Sequence, residues 1–189
     1  MDQEDATKRF YALVWPHAAT VLRSARYLVR DAEEADDIAQ ETMIKAFKAI
    51  DSFADGTDIR AWLMTILRNT RIDHIRAKAA TSGNVSLEQL TVEPVELAVD
   101  DGGDDEPAWD SPEELLEGFS DQHMIRALHA LPGEIRWTLL LVEVEQMDHE
   151  EAAKVLDVPV GTIKSRAFRG RAMLRQALLP IAKALRLVQ

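Results

Sequence analysis

The sequence predicts an all-α chain of two small helical domains joined by a flexible acidic linker. Three observations carry this. Apolar residues recur at three- and four-residue steps on both sides of the chain's centre. Helix-start and helix-stop residues bracket those stretches. Between them, residues 81–110 hold nine acids, no base and several breakers. The expected division is therefore 1–80, 81–110 and 111–189. A length of 189 residues suits two small domains, and 47% hydrophobic residues suffices for packed cores.

Three helical patterns fill residues 1–80. The first places Phe10, Leu13, Val14, Ala18, Val21, Leu22, Ala25, Leu28 and Val29 at helical spacing, and Pro16 interrupts it. The second begins near Asp31, an expected N-cap, with Glu33 and Glu34 in the favourable first turn. Its apolar face is Ala35, Ile38, Ala39, Met43, Ala46, Phe47 and Ile50. Its other face is Asp36, Asp37, Gln40 and Glu41, which reads either as a solvated surface or as a docking surface for a basic partner. A turn from Ser52 to Asp58 follows, with Gly56 as the positive-φ residue. The third helix is expected from Ile59 to Ala80, with a core stripe at Ile59, Trp62, Leu63, Ile66 and Leu67. Arg60, Arg68, Arg71 and Lys78 fall within about 80° of arc on it. Such a stripe either follows a phosphate backbone or is an ordinary basic face.

The linker carries Ser82-Gly83-Asn84, Pro94, Gly102-Gly103 and Pro107, with Asp100-Asp101 and Asp104-Asp105-Glu106 repelling one another. It reads as a solvated tether. Its scattered apolar residues leave room for a segment that docks on a partner.

In the last part, Ser111-Pro112-Glu113-Glu114 is a capping-box start. That helix should run toward Leu131 and stop at Pro132-Gly133. Another is expected from Glu134 to Val144, with Ile135, Thr138, Leu139 and Val142 inward. Residues 148–177 then read as a helix-turn-helix: a scaffold helix Asp148–Leu156, a turn Asp157-Val158-Pro159, and a second helix from Val160 or Gly161. Ala153 is small enough for a close crossing. Asp157 sits where the turn needs positive φ, which Asp tolerates. The stretch from Thr162 to Arg175 holds five cations and no acid, flanking a buried seam of Ile163, Ala167, Leu174 and Leu178. Such a helix fits the major groove, with its early residues at base edges and its later arginines at phosphates.

The formal net charge of −11 would ordinarily argue against nucleic acid. Its distribution reverses that inference. Residues 1–80 hold 12 bases and 13 acids, and residues 111–189 hold 10 and 11, so the deficit lies in the linker. The absence of cysteine excludes disulfides, thiolate metal sites and cysteine nucleophiles, and fits a reducing compartment. No apolar run approaches the ~18 residues of a membrane span, and the acidic N-terminus is no signal peptide, so a cytoplasmic location is expected. His17, His74, His123, His129 and His149 show no metal spacing. There is no phosphate-binding glycine loop, nucleophile elbow or dinucleotide fingerprint. No catalytic residue, metal, cofactor or small-molecule substrate is expected, and the chain does not read as an enzyme.

The residues match a known family. Asp36-Asp37-Ile38-Ala39-Gln40-Glu41-Thr42 is followed by Gly56-Thr57-Asp58-Ile59-Arg60-Ala61-Trp62-Leu63, then Ile66-Leu67-Arg68-Asn69 with Asp73 and Arg76. Ala127-Leu128, Leu131-Pro132 and Arg136 precede Glu150-Glu151-Ala152-Ala153 and Val158-Pro159-Val160-Gly161-Thr162-Ile163-Lys164-Ser165-Arg166, with Arg169 and Arg171 beyond. The chain resembles bacterial RNA polymerase sigma factors of the extracytoplasmic-function type, in the sigma-70 family, which keep only the second and fourth sigma regions. Gln146 and Asp157 stand where that family usually has glycine.

The resemblance implies a promoter-specificity subunit. Asp36, Asp37, Gln40 and Glu41 would bind core RNA polymerase, at the clamp helices of its largest (beta-prime) subunit, with the beta subunit also a partner. Phe53, Asp55, Thr57, Asp58, Arg60, Arg68, Asn69, Arg71 and Arg76 would take the −10 element as a melted strand. Thr162, Lys164, Ser165, Arg166, Arg169 and Arg171 would read the −35 element as duplex. The linker would thread the polymerase's nucleic-acid path. An anti-sigma factor would regulate activity by clamping the two domains. Two other readings compete: a sigma-like decoy that titrates an anti-sigma factor, and a stand-alone helix-turn-helix regulator. The five retained cations argue against the decoy, and the lack of a dimerisation helix argues against the regulator.

Overall fold

The computed structural model describes residues 3–54, 56–82 and 121–186, and the described residues are helical with short connections. Asp55, most of the linker (83–110) and the Ser111 capping box lie outside them. The first half comprises α1 (Gln3–Leu13), α2 (Ala18–Leu28), α3 (Ala32–Ala49) and α4 (Ile59–Ser82). A 3-10 turn over Trp15–His17 carries Pro16 in its first turn and separates α1 from α2. Asp31 caps α3, its carboxylate accepting from the Glu34 amide at 2.8 Å. Gly56 turns the chain at φ 88°. Asp58 then accepts from the Arg60 amide at 2.8 Å and opens α4, which continues two residues past the expected end at 80.

The second half comprises α5 (Asp121–His129), α6 (Gly133–Leu139), α7 (His149–Leu156) and α8 (Val160–Ala184). The helix expected over 134–144 is α-helical only to Leu139. Residues Leu140–Val144 form a π turn, with the Glu145 amide reaching back five residues to the Leu140 carbonyl at 2.9 Å. Gln146 then reverses the chain at φ 55°. Asp148 makes a full capping box with Glu151 at the start of α7. Asp157 ends α7 in the left-handed region, at φ 55°. The Val158 amide bonds the Ala153 carbonyl at 3.1 Å and the Asp157 amide bonds that of Lys154 at 3.4 Å, which makes the turn a Schellman motif.

Gly170 permits a close crossing of α8 over α6. A Cβ there would lie 2.8 Å from Ile135 Cγ2 and 3.0 Å from Leu139 Cδ2.

The two halves pack against each other. One cluster of buried side chains runs from Phe10, Val21 and Leu67 in the first half to Leu128, Leu141 and Ile163 in the second. The α2 helix packs on α5, and α4 on α7. Polar bonds cross the same seam. Buried Ser24 donates to buried Glu145 at 2.9 Å, Arg60 to the Glu145 carbonyl at 3.2 Å, and Arg30 to the His129 carbonyl at 3.0 Å. Arg136 is the centre of this seam. It donates to the carbonyls of Leu128 (2.9 Å), His129 (3.2 Å) and Leu131 (2.9 Å), and across the seam to Leu28 (3.0 Å). It has no carboxylate partner among the described residues. Instead it satisfies carbonyls left over where α2 and α5 end, where helix dipoles favour a cation. Burial, with Arg71 and Arg30 nearby, lowers its pKa to about 10, so it stays charged at neutral pH.

Candidate polymerase and nucleic-acid interface

The α3 face forms as its pattern requires. Ala35, Ile38, Ala39, Thr42 and Ala46 are buried, which turns Asp36, Asp37 and Gln40 to solvent and leaves Glu41 half-buried. Two of these acids are already engaged. Asp36 accepts from Arg26 Nε at 3.1 Å and Nη2 at 3.0 Å. Glu41 meets His74 Nε2 at 2.6 Å and Lys45 Nζ at 3.0 Å. The hydrogen bond to His74, then that to Lys45, holds the Glu41 carboxyl below its ordinary value. Lys45 also donates to Asp73 at 2.9 Å. Desolvation works against its charge, but the bonds to Asp73 and Glu41 outweigh it and raise its pKa.

Sequence reasoning missed one residue on this face. Ile44 is 48% exposed and lies about 20° around the helix from Asp37, between Gln40 and Glu41. Its signal was present: an isoleucine on an otherwise polar arc.

The loop before α4 corrects one expectation. Phe53 is buried and packs on Trp62 with ring centroids 5.2 Å apart. Its carbonyl accepts from Arg9 at 2.6 Å, and Arg9 also donates to the Ile50 carbonyl at 3.0 Å. The ring is therefore in the core and not offered to a base. Thr57 is exposed, its hydroxyl donating to the Ala54 carbonyl at 2.7 Å.

The cations of the α4 stripe sit in several different environments. Arg60 is half-buried between Asp58 (3.4 Å) and the Glu145 carbonyl, Arg71 is half-buried at the seam, and Lys78 pairs with Glu34 at 2.7 Å. Packing of the second half against α4 covers the middle of the stripe. Asn69 and Arg76 remain exposed, and Arg68 is half-exposed.

On α8, buried Ile163, Ala167, Gly170 and Leu178 fix the opposite face outward. Lys164, Ser165 and Arg169 are exposed there, and Thr162 is half-buried at the helix start. Arg166 is bound to Glu134 with only 16% of its side chain exposed, so it does not share that face. Arg171 pairs with Glu143 at 2.7 Å. A second residue was missed here. Phe168 is 65% exposed between the arcs of Ser165 and Lys164, an aromatic ring where nothing in the fold needs one. A helix read for its cations alone hides it.

Among the described residues, fold and surface define a helical protein that carries a helix-turn-helix with a cationic outward face. Residues 13–81 match the family model for sigma-70 region 2, and residues 122–174 that for sigma-70 region 4. The chain is 31% identical to the RNA polymerase sigma-H factor of Pseudomonas aeruginosa, over 96% of this chain and 92% of that one. It is 31% identical to the ECF RNA polymerase sigma-E factor of Haemophilus influenzae, over 82% of this chain and 79% of that one. Its fold resembles that of the Bartonella quintana sigma factor RpoE, solved in complex with the anti-sigma factor NepR. That match has a TM-score of 0.66 and 25% identity, and covers 93% of this chain and 97% of the other.

The chain belongs to the sigma-70 family, as a sigma factor of the extracytoplasmic-function type. It is a DNA-binding initiation subunit that directs RNA polymerase to promoters, and not an enzyme. The polymerisation chemistry is that of its partner. Among the described residues no group of side chains could hold a metal ion, and no helix is long and apolar enough to cross a membrane.

Proposed function

We propose that α3 docks on core polymerase through Asp36, Asp37, Gln40 and Glu41, with Ile44 as an apolar anchor at the centre of the face. The first half takes the −10 element through Thr57, Asp58, Arg68, Asn69 and Arg76, joined by Arg60 and Arg71 once the seam opens; Asp55 belongs to the same loop. The second half reads the −35 duplex with α8: Lys164, Ser165 and Arg169 at the groove, Phe168 against a thymine methyl, and Thr162, Arg166 and Arg171 at its margins. The domain limits that go with this reading are 1–80 and 111–189, with 81–110 between them. The cytoplasm, where polymerase works, is its location.

The observation that carries the reading is the outward face of α8, where exposed cations surround an exposed aromatic ring. Run-off transcription with purified core polymerase on a promoter library tests it. Wild type is expected to yield sigma-dependent transcripts, and Arg169→Ala to lose them from −35-dependent promoters while still binding core. Unchanged promoter choice in both Arg169→Ala and Phe168→Ala would reject the assignment of α8.

An external protein regulator fits the same structure. The Bartonella relative was captured with an anti-sigma factor, and a protein that grips both halves would hold the seam shut. Co-purification from the host with polymerase alone would count against that regulator.

A further inference from the structure

Arginines from both halves converge on the seam. Arg68 and Arg71 of α4 and Arg166 of α8 line a cleft of about 240 Å³, together with Glu134, Trp137 and Asp157. At ~30 Å³ per water this is room for about eight waters, enough for a hydrated oxyanion. Of the three arginines, Arg166 has a carboxylate partner, Glu134. Arg68 and Arg71 form no ion pair among the described residues. Arg71 is the telling case. Desolvation works against its charge, and the acid that most offsets this, Glu34, is already bonded to Lys78 at 2.7 Å. Arg71 and Arg30 in turn both bear on Arg136. A half-buried cation without an ion-pair partner is unfavourable, and like charges nearby make it more so. Asp157, exposed at the rim, is the other acid of the cleft. Closing the halves therefore concentrates positive charge at a polar opening that both halves build.

We propose that this cleft binds a small phosphorylated anion between Arg68 and Arg71 of the first half and Arg166 of the second. The planar guanidinium fork matches phosphate oxygens two at a time, so three arginines suit a diphosphate better than a point charge would. Because the donors come from both halves, the anion holds the seam closed. It is a bound effector and not a substrate. One corollary rests on the DNA-contact assignments above: Arg71 and Arg166 cannot serve the anion and the promoter together, so the two compete. The binding site itself does not depend on that assignment.

Isothermal titration of the full chain with inorganic pyrophosphate tests the site, with sodium chloride at matched ionic strength as control. One saturable site is expected, weakened at least tenfold in Arg71→Gln and in Arg166→Gln and less in Arg71→Lys. The two Gln variants lie on different helices, so misfolding of one, checked by circular dichroism, leaves the other decisive. Heats equal to those of sodium chloride would overturn the proposal, as would unchanged affinity in the folded Gln variants. A scrambled ten-nucleotide single strand separates the sources of phosphate. It is expected to displace pyrophosphate poorly. Displacement at lower phosphate concentration than free pyrophosphate requires would assign the cleft to nucleic-acid backbone and overturn the proposal.

Discussion

In the first half, the charged groups on the working faces are largely engaged with one another; on the outward face of α8 they are not. Asp36 is held by Arg26, Glu41 by His74 and Lys45, and Arg60 by Asp58 and a carbonyl of the other half. Lys164 and Arg169 project from α8 into solvent. The difference concerns readiness. A cation that has only water to lose gains the full benefit of a phosphate. A paired acid must exchange one partner for another, so its net gain on docking is smaller. On this comparison the outward cations of α8 have only water to lose, whereas several of the first half must exchange partners or be uncovered.

The largest expected effect tests whether the halves are locked at all. Arg136→Met should destabilise the protein by about 3–5 kcal/mol, the range for stripping one side of a buried charged network. It removes four hydrogen bonds to carbonyls, of which that of His129 keeps Arg30 and that of Leu128 keeps the Leu131 amide. Urea unfolding should show both the loss and a split into two transitions. A single transition with a loss under about 1 kcal/mol would mean that Arg136 is not what couples the halves.

Next is the second half's own crossing. Gly170→Val should cost about 1–3 kcal/mol by overpacking against Ile135 and Leu139. Thermal melts should show it as a lower midpoint of the one shared transition, and in the Arg136→Met background as a shift of the transition that contains α8.

Duplex binding sharpens the account of α8. Phe168→Ala and Arg169→Ala should each weaken −35 binding by about 1–3 kcal/mol and alter base preference. Arg171→Ala, at the groove's margin, should weaken all sequences alike and lower the salt slope by about 1. Replacing thymine by uracil in the −35 site should mimic Phe168→Ala and add nothing to it.

On α3 the comparison predicts an order. Asp37, which makes no ion pair among the described residues, should matter more to core binding than Asp36, which surrenders Arg26 first. Asp37→Asn and Ile44→Ala should each weaken core binding more than Asp36→Asn, by a margin of about 0.5–1 kcal/mol in a pull-down titration. The reverse order would show that an acid's existing ion pair does not diminish its gain on docking.

The smallest effect is one of pH. The folded Glu41 carboxyl has a lowered pKa, so its contribution is complete above the ordinary value of 4.5 and is lost as pH falls below it, through the folded value. Its side chain is 40% exposed, so solvent screening limits the effect to about 0.5 kcal/mol or less. Glu41→Gln should flatten the acid limb of the stability curve by that amount.

Much of the fold was legible in the chain because its signals are local. Spacing of apolar residues places α2, α3 and α4, Asp31 caps α3, and Pro16 separates α1 from α2. The positive φ of Gly56 and Asp157 follows from turns that span a few residues. Local chemistry of that kind acts before tertiary contacts form, so one-dimensional pattern reports it. The outward sides of α3 and α8 were legible for the same reason, since a buried stripe dictates its opposite face.

What only the tertiary structure decided depends on residues far apart in sequence. No pattern announces that Ser24 meets Glu145, that Arg136 reaches Leu28, or that Phe53 turns from the loop before α4 into the core against Trp62 and Arg9. The π turn at Leu140–Val144 is invisible too, because helical spacing barely changes over five residues. The chain by itself determined two helical parts of near-neutral charge. The structure added that the parts share one core, and that their arginines meet with too few acids between them. That outcome follows from packing: α2 and α4 carry apolar surface which water disfavours, and α5 and α7 cover it, bringing the cations of α4 and α8 along.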